Sequence, residues 1–257
     1  RVGDRLKIAV ITGASSGMGK EFVRQLAYNY GWLDEIWAIA RRGEVLEELK
    51  KEICIKIRVI PMDITDEKSI KKLKEMLREY KPYVKYLVNA AGCGVHRSVE
   101  VTPTEDCARM VDLNCRALTE ITRIILPYMR QKSHIVMTAS AAAFIPQPEF
   151  AVYAATKAYV LSFSRALARE LRGYIAVTIV CPGPVDTEFL ENMGGKSRIP
   201  SYKRRFIARP EAVVSQAIID AARKKEISIY GFSMKCFFIL CKIVPHRVLL
   251  KIVELVL

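Results

Sequence analysis

Several features that would assign this chain to other classes of protein are missing from its sequence. Its seven cysteines are scattered, with no C-x-x-C pair and no Cys/His cluster, which argues against a structural zinc site and a small disulfide scaffold. No uninterrupted apolar run reaches the roughly 18 residues that a bilayer-spanning helix needs. No hydrophobic secretory segment is present either. Scattered cysteines without such a segment predict a reducing, cytoplasmic environment.

The sequence also contains no repeat, no low-complexity segment and no linker. Its 257 residues are 51% apolar, enough to bury a sizeable core in one large α/β domain or two small ones. The first residue is Arg1 rather than Met, so we allow for further residues, including a targeting segment, beyond this sequence.

Short apolar runs alternate with longer amphipathic stretches along most of the chain. Strands are predicted at 7–12, 35–40, 56–60, 84–89, 133–139, 175–181 and 227–230, and the longest helices at 103–129 and 150–171. This alternation predicts a mostly parallel sheet covered on both faces. We therefore expect an α/β fold, with a single Rossmann-type doubly wound domain over 1–231 and a parallel seven-stranded sheet with helices on both faces. A short C-terminal extension would follow over 232–257.

A glycine-rich turn follows the first predicted strand. Glycines there let the backbone approach a pyrophosphate, and the next helix directs free N–H groups and a positive dipole end at phosphate. A tight turn without a ligand is the alternative interpretation. The candidate phosphate-binding residues are Gly13, Ser15, Ser16, Gly17, Met18 and Gly19.

Two arginines, Arg41 and Arg42, follow the second predicted strand. A Rossmann fold usually places an acidic residue there to hold the ribose 2′-hydroxyl. An acid would repel a 2′-phosphate, whereas the planar guanidinium of an arginine pairs with it. The basic pair therefore predicts NADP(H) rather than NAD(H), the alternative being two solvated surface charges.

A tyrosine and a lysine lie four residues apart, at Tyr153 and Lys157, on a predicted helix and so share one face. The same spacing recurs at Tyr128 and Lys132, but that pair follows a proline at the predicted end of a helix. Only the first pair is preceded by a serine, Ser140, just beyond the fifth predicted strand. In open α/β sheets, ligands bind at such strand ends.

These residue types suit proton transfer to a carbonyl group. A free tyrosine has a pKa near 10, and we expect the ammonium group of Lys157 to lower the pKa of Tyr153. Tyr153 would act as the acid in ketone reduction and as the base in alcohol oxidation. The hydroxyl of Ser140 would hydrogen-bond the substrate oxygen, and a nicotinamide would carry the hydride.

With these motifs in order, the chain from about Lys7 to Tyr230 resembles a classical short-chain dehydrogenase/reductase. The resemblance implies a catalytic tetrad of Asn114, Ser140, Tyr153 and Lys157, with the asparagine helping to hold a water in a proton relay to the lysine. It also implies adenine contact by Asp63 and a mobile flap at about 188–210. The cofactor-binding residues it implies are Asp63, Ile64, Asn89, Ala90, Gly92, Tyr153, Lys157, Pro182, Gly183, Val185 and Thr187, together with the glycine-turn residues and the two arginines.

Positive charge is concentrated in the predicted flap. The formal net charge is +14, and the stretch between Gly194 and Pro210 holds six basic residues and no acidic one. This cluster suits an anionic substrate or carrier, or contact with anionic lipid, and a solvated loop is the alternative interpretation. The sequence has no aromatic-basic platform or reading helix for nucleic acid, so we expect no nucleic-acid partner.

The extension 232–257 combines apolar residues with Lys235, Lys242, Arg247 and Lys251. It has three interpretations: an amphipathic segment on a membrane surface, a cap on an apolar pocket, or a contact in a homodimer or homotetramer. The first two favour a hydrophobic substrate.

We therefore expect an NADP(H)-dependent oxidoreductase that interconverts a ketone and a secondary alcohol on a hydroxysteroid or 3-oxoacyl type of substrate. No metal is expected. The alternative is a non-catalytic NADP(H)-binding sensor or scaffold protein on the same fold.

Overall fold

The computed structural model of the protein describes residues 5–193 and 206–256. The basic cluster expected over the flap lies mostly outside these ranges, with only Arg209 inside them. Seven parallel strands form the framework of the described residues, and most of the helices connect one strand to the next.

The strands form one sheet in the order β3-β2-β1-β4-β5-β6-β7, and all neighbours pair in parallel. This confirms the predicted fold class. The strands are β1 (Lys7–Thr12), β2 (Glu35–Ala40), β3 (Lys56–Pro61), β4 (Tyr83–Asn89), β5 (Met129–Thr138), β6 (Ile175–Val180) and β7 (Ile227–Ser228).

The helices and the sheet build two separate apolar cores, one on each face. Successive residues of β1 alternate between them: Ile8 and Val10 face one core, and Ala9 and Ile11 face the other. A strand buried on both faces has no polar side, which explains why the sequence of β1 is a continuous apolar run.

The helices are α1 (Gly17–Asn29), α2 (Gly43–Lys51), α3 (Glu67–Tyr80), α4 (Thr104–Val111), α5 (Leu118–Ile125), α6 (Ala151–Glu170), α7 (Glu188–Asn192), α8 (Pro210–Ala222), α9 (Phe232–Ile243) and α10 (His246–Val256).

The direction of the strand order reverses between β1 and β4, which lie side by side in the sheet. In open α/β sheets, a ligand crevice opens at the carboxyl ends of the strands at such a reversal. The sheet therefore places the turn after β1 and the loop after β4 at the same edge.

The prediction of a single helix over 103–129 was wrong in detail. Between α4 and α5 lies a π-helical turn, Asp112–Ala117, and after α5 a 3₁₀ turn, Leu126–Tyr128, leads directly into β5. Pro127 lies in that 3₁₀ turn and cannot donate the backbone hydrogen bond that would continue a helix.

This interruption also separates the second Tyr–Lys pair. Tyr128 lies in the 3₁₀ turn, while Lys132 lies in β5 with a left-handed φ of 67°. The two residues therefore do not share a helix face, unlike Tyr153 and Lys157, which both lie on α6.

No helix among residues 5–193 and 206–256 is long and apolar enough to cross a bilayer.

A cavity of about 410 Å³ opens at the amino ends of the strands, lined by aromatic and lysine side chains including Trp32 and Lys85. It lies at the sheet edge opposite to the crevice.

The start of α1 depends on a close contact that only glycine permits. A Cβ on Gly19 would overlap the carbonyl oxygen of Gly13, which is backbone and has little freedom to move. We expect Gly19→Ala to lower the free energy of unfolding by about 1–3 kcal/mol, as overpacking does. Urea denaturation followed by circular dichroism measures this change. Gly31→Ala is the matched control, because a Cβ on Gly31 would meet no atom within 4 Å, and equal losses in the two variants would contradict the packing argument.

Candidate active site

Three loops meet at the carboxyl edge of the sheet. A Cβ on Gly13 would lie 2.7 Å from the backbone nitrogen of Ala91, so the turn after β1 packs directly on the loop after β4. A Cβ on Gly17 would lie 3.2 Å from the side chain of Thr187, which follows β6. The left-handed φ values of Gly13 (69°) and Gly17 (50°) also favour glycine at both positions. The structure thus brings the predicted phosphate turn, the Asn89–Gly92 loop and the Pro182–Thr187 loop together.

The glycine-rich turn leads directly into the N-terminus of α1. Ser16 precedes α1, and its side chain makes no capping hydrogen bond to the helix. At the same edge of the sheet, where β4 and β5 end, the side-chain oxygens Asn89 Oδ1 and Thr138 Oγ1 are buried without a hydrogen-bond partner among the described residues. Buried polar atoms of this kind call for a partner. The glycine-rich turn has the shape that a dinucleotide's phosphates need, and the two buried oxygens could accept hydrogen bonds from the amide group on its ring.

The two arginines after β2 have different surroundings. Arg41 is exposed at the end of the strand. Arg42 donates from Nε and Nη2 to Ser15 Oγ, both at 3.3 Å, and from Nη2 to Glu188 Oε2 at 2.8 Å. Arg42 therefore lies against the glycine-rich turn through Ser15.

Asp63 and Ile64 follow β3 at the same edge. The carboxylate of Asp63 accepts hydrogen bonds from the backbone nitrogen and the hydroxyl of Thr65, at 2.9 and 2.7 Å. Ile64 is buried. These bonds fix the turn after β3.

Asn89 ends β4, and its side-chain amide donates to Thr122 Oγ1 at 2.9 Å, which ties this strand end to α5. Pro182 and Gly183 follow β6 after one intervening residue, Cys181. The carbonyl oxygen of Pro182 accepts a hydrogen bond from the backbone nitrogen of Ala141 at 2.8 Å, next to Ser140. Val185 pairs with Ala208 in a short parallel bridge that holds the loop before α7.

Asn114 lies in the π-helical turn, fully buried, with its amide directed at the loop after β4. Oδ1 accepts from the backbone nitrogen of Cys93 at 2.9 Å, and Nδ2 donates to the carbonyl oxygen of Cys93 at 2.8 Å and to Thr156 Oγ1 at 3.0 Å. Asn114 thus joins the β4 loop to α6. A Cβ on Gly92 would lie 3.2 Å from Asn114 Oδ1 and 3.4 Å from Lys157 Nζ, so this glycine keeps open a space bordered by both polar groups.

Tyr153 is only 6% exposed and lies between aromatic rings. Its ring stacks on Phe150 at 4.2 Å between centroids and contacts Phe189 of α7 at 5.6 Å. Burial raises the pKa of Tyr153 above its ordinary value, and a hydrogen bond with Ser140 opposes that rise. The buried phenol therefore holds its proton more tightly than a free tyrosine does.

Lys157 is buried beneath Tyr153. Its Nζ donates to the carbonyl oxygen of Thr138 at 2.9 Å and lies 5.6 Å from the centroid of the Tyr153 ring. Burial lowers the pKa of Lys157 to about 8. The expectation that Lys157 makes the pKa of Tyr153 lower than usual is not met in this structure, because desolvation of the phenol outweighs the opposing influences.

An apolar wall surrounds the phenol. A small core cluster contains Tyr153 together with Met110, Ala142, Phe150 and Ala154, and Cys93, Val95, Val152, Phe189 and Met193 pack against it. A Cβ on Gly94 would lie 2.8 Å from Cδ2 of Tyr153 and 2.9 Å from Cζ of Phe189. Sequence reasoning missed Cys93, Gly94, Phe150 and Phe189, since nothing in their local pattern indicates contact with the tyrosine.

The family model described as short chain dehydrogenase matches residues 7–197. The chain belongs to the short-chain dehydrogenase family. The oxidoreductase function and the Rossmann-type fold of this family agree with the parallel sheet and with the position of the crevice.

Relatives within the family vary in their substrates and cofactors. The chain is 31% identical over 250 residues to "11-beta-hydroxysteroid dehydrogenase-like 3" of Arabidopsis thaliana, covering 94% of this chain and 79% of that protein. It is similar to a solved short-chain dehydrogenase of Sphingobium yanoikuyae in complex with NADPH, at 26% identity and a TM-score of 0.76, covering 88% and 89% of the two chains. It is also similar to the 3-ketoacyl-(acyl-carrier-protein) reductase of Brucella melitensis complexed with NADH, at 26% identity and a TM-score of 0.75, covering 88% and 97%.

The lowered pKa of Lys157 predicts a measurable dependence of stability on pH. Between about pH 8 and the ordinary lysine pKa of 10.5, the unfolded chain binds a proton at this residue that the folded chain does not, so stability rises with pH. Relative to Lys157→Met, the wild-type protein should gain on the order of 2 kcal/mol in free energy of unfolding between pH 7 and pH 9.5. Urea denaturation at both pH values tests this.

Lys50→Met is the control for that experiment, because Lys50 is an exposed lysine on α2. It should show no comparable difference between the two pH values. An equal difference for both variants would contradict a buried, weakly basic Lys157.

Proposed function

We propose that this protein is an NADP(H)-dependent oxidoreductase that interconverts a ketone and a secondary alcohol on a hydrophobic substrate of the hydroxysteroid or 3-oxoacyl type. The observation that carries the proposal is the buried phenol of Tyr153, which lies over Lys157 and is surrounded by apolar side chains at the carboxyl edge of the sheet. A tyrosine that acts as a general acid in an apolar site suits proton transfer to the carbonyl oxygen of a hydrophobic substrate.

In this proposal the chain supplies the proton and the orientation. Tyr153 Oη donates its proton to the carbonyl oxygen in reduction and takes it back in alcohol oxidation, and the Ser140 hydroxyl hydrogen-bonds the same oxygen. The nicotinamide supplies or accepts the hydride. Lys157 and Asn114 border the space kept open by Gly92, where a water relaying protons to Lys157 fits.

The choice of NADP(H) rests on the basic residues after β2. Arg42 lies on the phosphate turn through Ser15, and Arg41 lies exposed beside it in the chain. A guanidinium group pairs with a 2′-phosphate through parallel hydrogen bonds. The Sphingobium yanoikuyae relative, solved in complex with NADPH, supports the same choice.

The substrate class rests on the apolar wall and on the C-terminal helices. Phe237 and Phe238 of α9 contact Phe144, which lies in the turn after Ser140, at 6.4 and 4.8 Å between ring centroids. A Cβ on Gly183 would lie 2.8 Å from Sδ of Met234, also on α9. The inner face of α9 therefore supports the loops of the site, in line with a cap on an apolar pocket. The names of the hydroxysteroid-like and 3-ketoacyl relatives agree with such substrates.

The outer face of the C-terminal helices is a proposed contact surface. Phe232 and Ile243 are 82% and 74% exposed, and Lys235, Lys242 and Arg247 lie among the apolar residues. Peripheral contact with a membrane and assembly into a dimer or tetramer are the two roles that fit an apolar surface with basic residues.

All seven cysteines are unpaired thiols, in keeping with the proposed cytoplasmic location.

The first test is NADPH consumption by the purified protein against ketosteroids, 3-oxoacyl thioesters and small diketones. We expect turnover of one hydrophobic class, and its loss by at least a hundredfold in Tyr153→Phe, the size of a general-acid contribution. NADPH affinity should stay nearly unchanged in that variant, because only a hydroxyl is removed.

Tyr128→Phe is the matched control, since Tyr128 has the same spacing to a lysine but lies in the 3₁₀ turn before β5. Its turnover should equal that of the wild-type protein. Full activity of Tyr153→Phe would refute the acid–base assignment, and NADPH binding without turnover of any substrate would favour a non-catalytic protein.

Arg41→Asp should weaken NADPH binding more than NADH binding, because the aspartate repels a 2′-phosphate and NADH has none. The expected loss of NADPH affinity is about tenfold or more, as for a charged hydrogen bond worth roughly 1.5–3 kcal/mol. Fluorescence titration of both dinucleotides measures it. Equal losses would show that Arg41 does not contact the 2′-phosphate.

A further inference from the structure

Arg42 has an acidic partner as well as its contact with the phosphate turn. Its Nη2 donates to Glu188 Oε2 at 2.8 Å, while Nε and Nη2 both lie 3.3 Å from Ser15 Oγ. The ion pair joins residues 146 positions apart in the chain. One guanidinium group therefore connects the turn after β1 to the start of α7.

Glu188 lies between two residues that contact the proposed site. It is the first residue of α7; Thr187 before it lies against Gly17 of the phosphate turn, and Phe189 after it contacts the ring of Tyr153. No other carboxylate is paired with Arg42 among the described residues. The acid is thus directed at the arginine that is proposed to bind the cofactor's distinguishing phosphate.

We propose that Glu188 is a specificity-determining residue that competes with the 2′-phosphate of NADP(H) for Arg42. This inference rests on the proposed function, since it assumes that Arg42 pairs with that phosphate.

The physical reason is the competition of two anions for one guanidinium face. Ser15 Oγ occupies the edge formed by Nε and Nη2, so Glu188 accepts the other Nη2 hydrogen, on the edge shared with Nη1. A 2′-phosphate that pairs with Nη1 and Nη2 must take the hydrogen that Glu188 holds, and the carboxylate and the phosphate repel each other at that distance. NADH carries a neutral hydroxyl at this position, so its binding leaves the ion pair in place. Glu188 therefore reduces the preference for NADP(H) without removing it.

The expected effect is modest because the pair is partly solvated. The side chains of Arg42 and Glu188 are 43% and 54% exposed, and exposed ion pairs are weak. Glu188→Gln, which keeps the size of the side chain but removes its charge, should tighten NADPH binding about two- to fivefold. The affinity for NADH should not change.

The experiment is a fluorescence titration of the full chain with NADPH and with NADH, at low and at high salt. The variants are Glu188→Gln, Arg42→Met, the two combined, and Glu191→Gln as the control. Glu191 is an exposed acid on the same short helix, so its substitution removes the same charge without touching the ion pair.

Three results support the proposal together: a tighter NADPH complex in Glu188→Gln, no change in Glu191→Gln, and no effect of Glu188→Gln when Arg42 is already methionine. The proposal is overturned if Glu188→Gln leaves NADPH affinity unchanged. It is also overturned if the gain persists in the Arg42→Met background, since the charge would then act at long range. If Arg42→Met does not weaken NADPH relative to NADH, the cofactor assignment fails first, and this outcome is distinct from the others.

Discussion

Backbone contact between the turn after β1 and the loop after β4 is the constraint on which the site depends. Gly13 lies against Ala91, and Gly19 lies against Gly13, at distances that leave no room for a Cβ. This contact holds the N-terminus of α1 at the crevice between β1 and β4, where the helix dipole favours an anion. If the turn moved by the width of a methyl group, both the phosphate turn and the loop that Asn114 holds would change position.

The chemistry of the site comes from polar groups that the fold buries at a cost. Lys157 is placed under Tyr153 with a pKa lowered to about 8 by desolvation, and its hydrogen bond to the Thr138 carbonyl only partly offsets that cost. Asn89 and Thr138 each keep a buried oxygen without a partner among the described residues. Groups left in this condition at one edge of a well-packed sheet are typical of a binding site, since a ligand supplies the missing partners.

The segment that begins α7 connects the two halves of the site. Thr187 touches the phosphate turn, Glu188 pairs with Arg42, and Phe189 covers Tyr153. Three consecutive residues thus contact the glycine-rich turn, the arginine after β2 and the ring of Tyr153.

The sequence by itself determined the sheet, the two cores and the positions of the loops at its carboxyl edge, because alternating apolar runs and glycine turns are local patterns. It also distinguished Tyr153 from Tyr128, since only one of them follows a strand end with a serine. The tertiary structure alone decided the π-helical turn that directs Asn114 at Cys93, the raised pKa of Tyr153, the aromatic cover from Phe150 and Phe189, and the pairing of Arg42 with Glu188. Each of these depends on how side chains far apart in the chain exclude water from one another, and no local pattern carries that information.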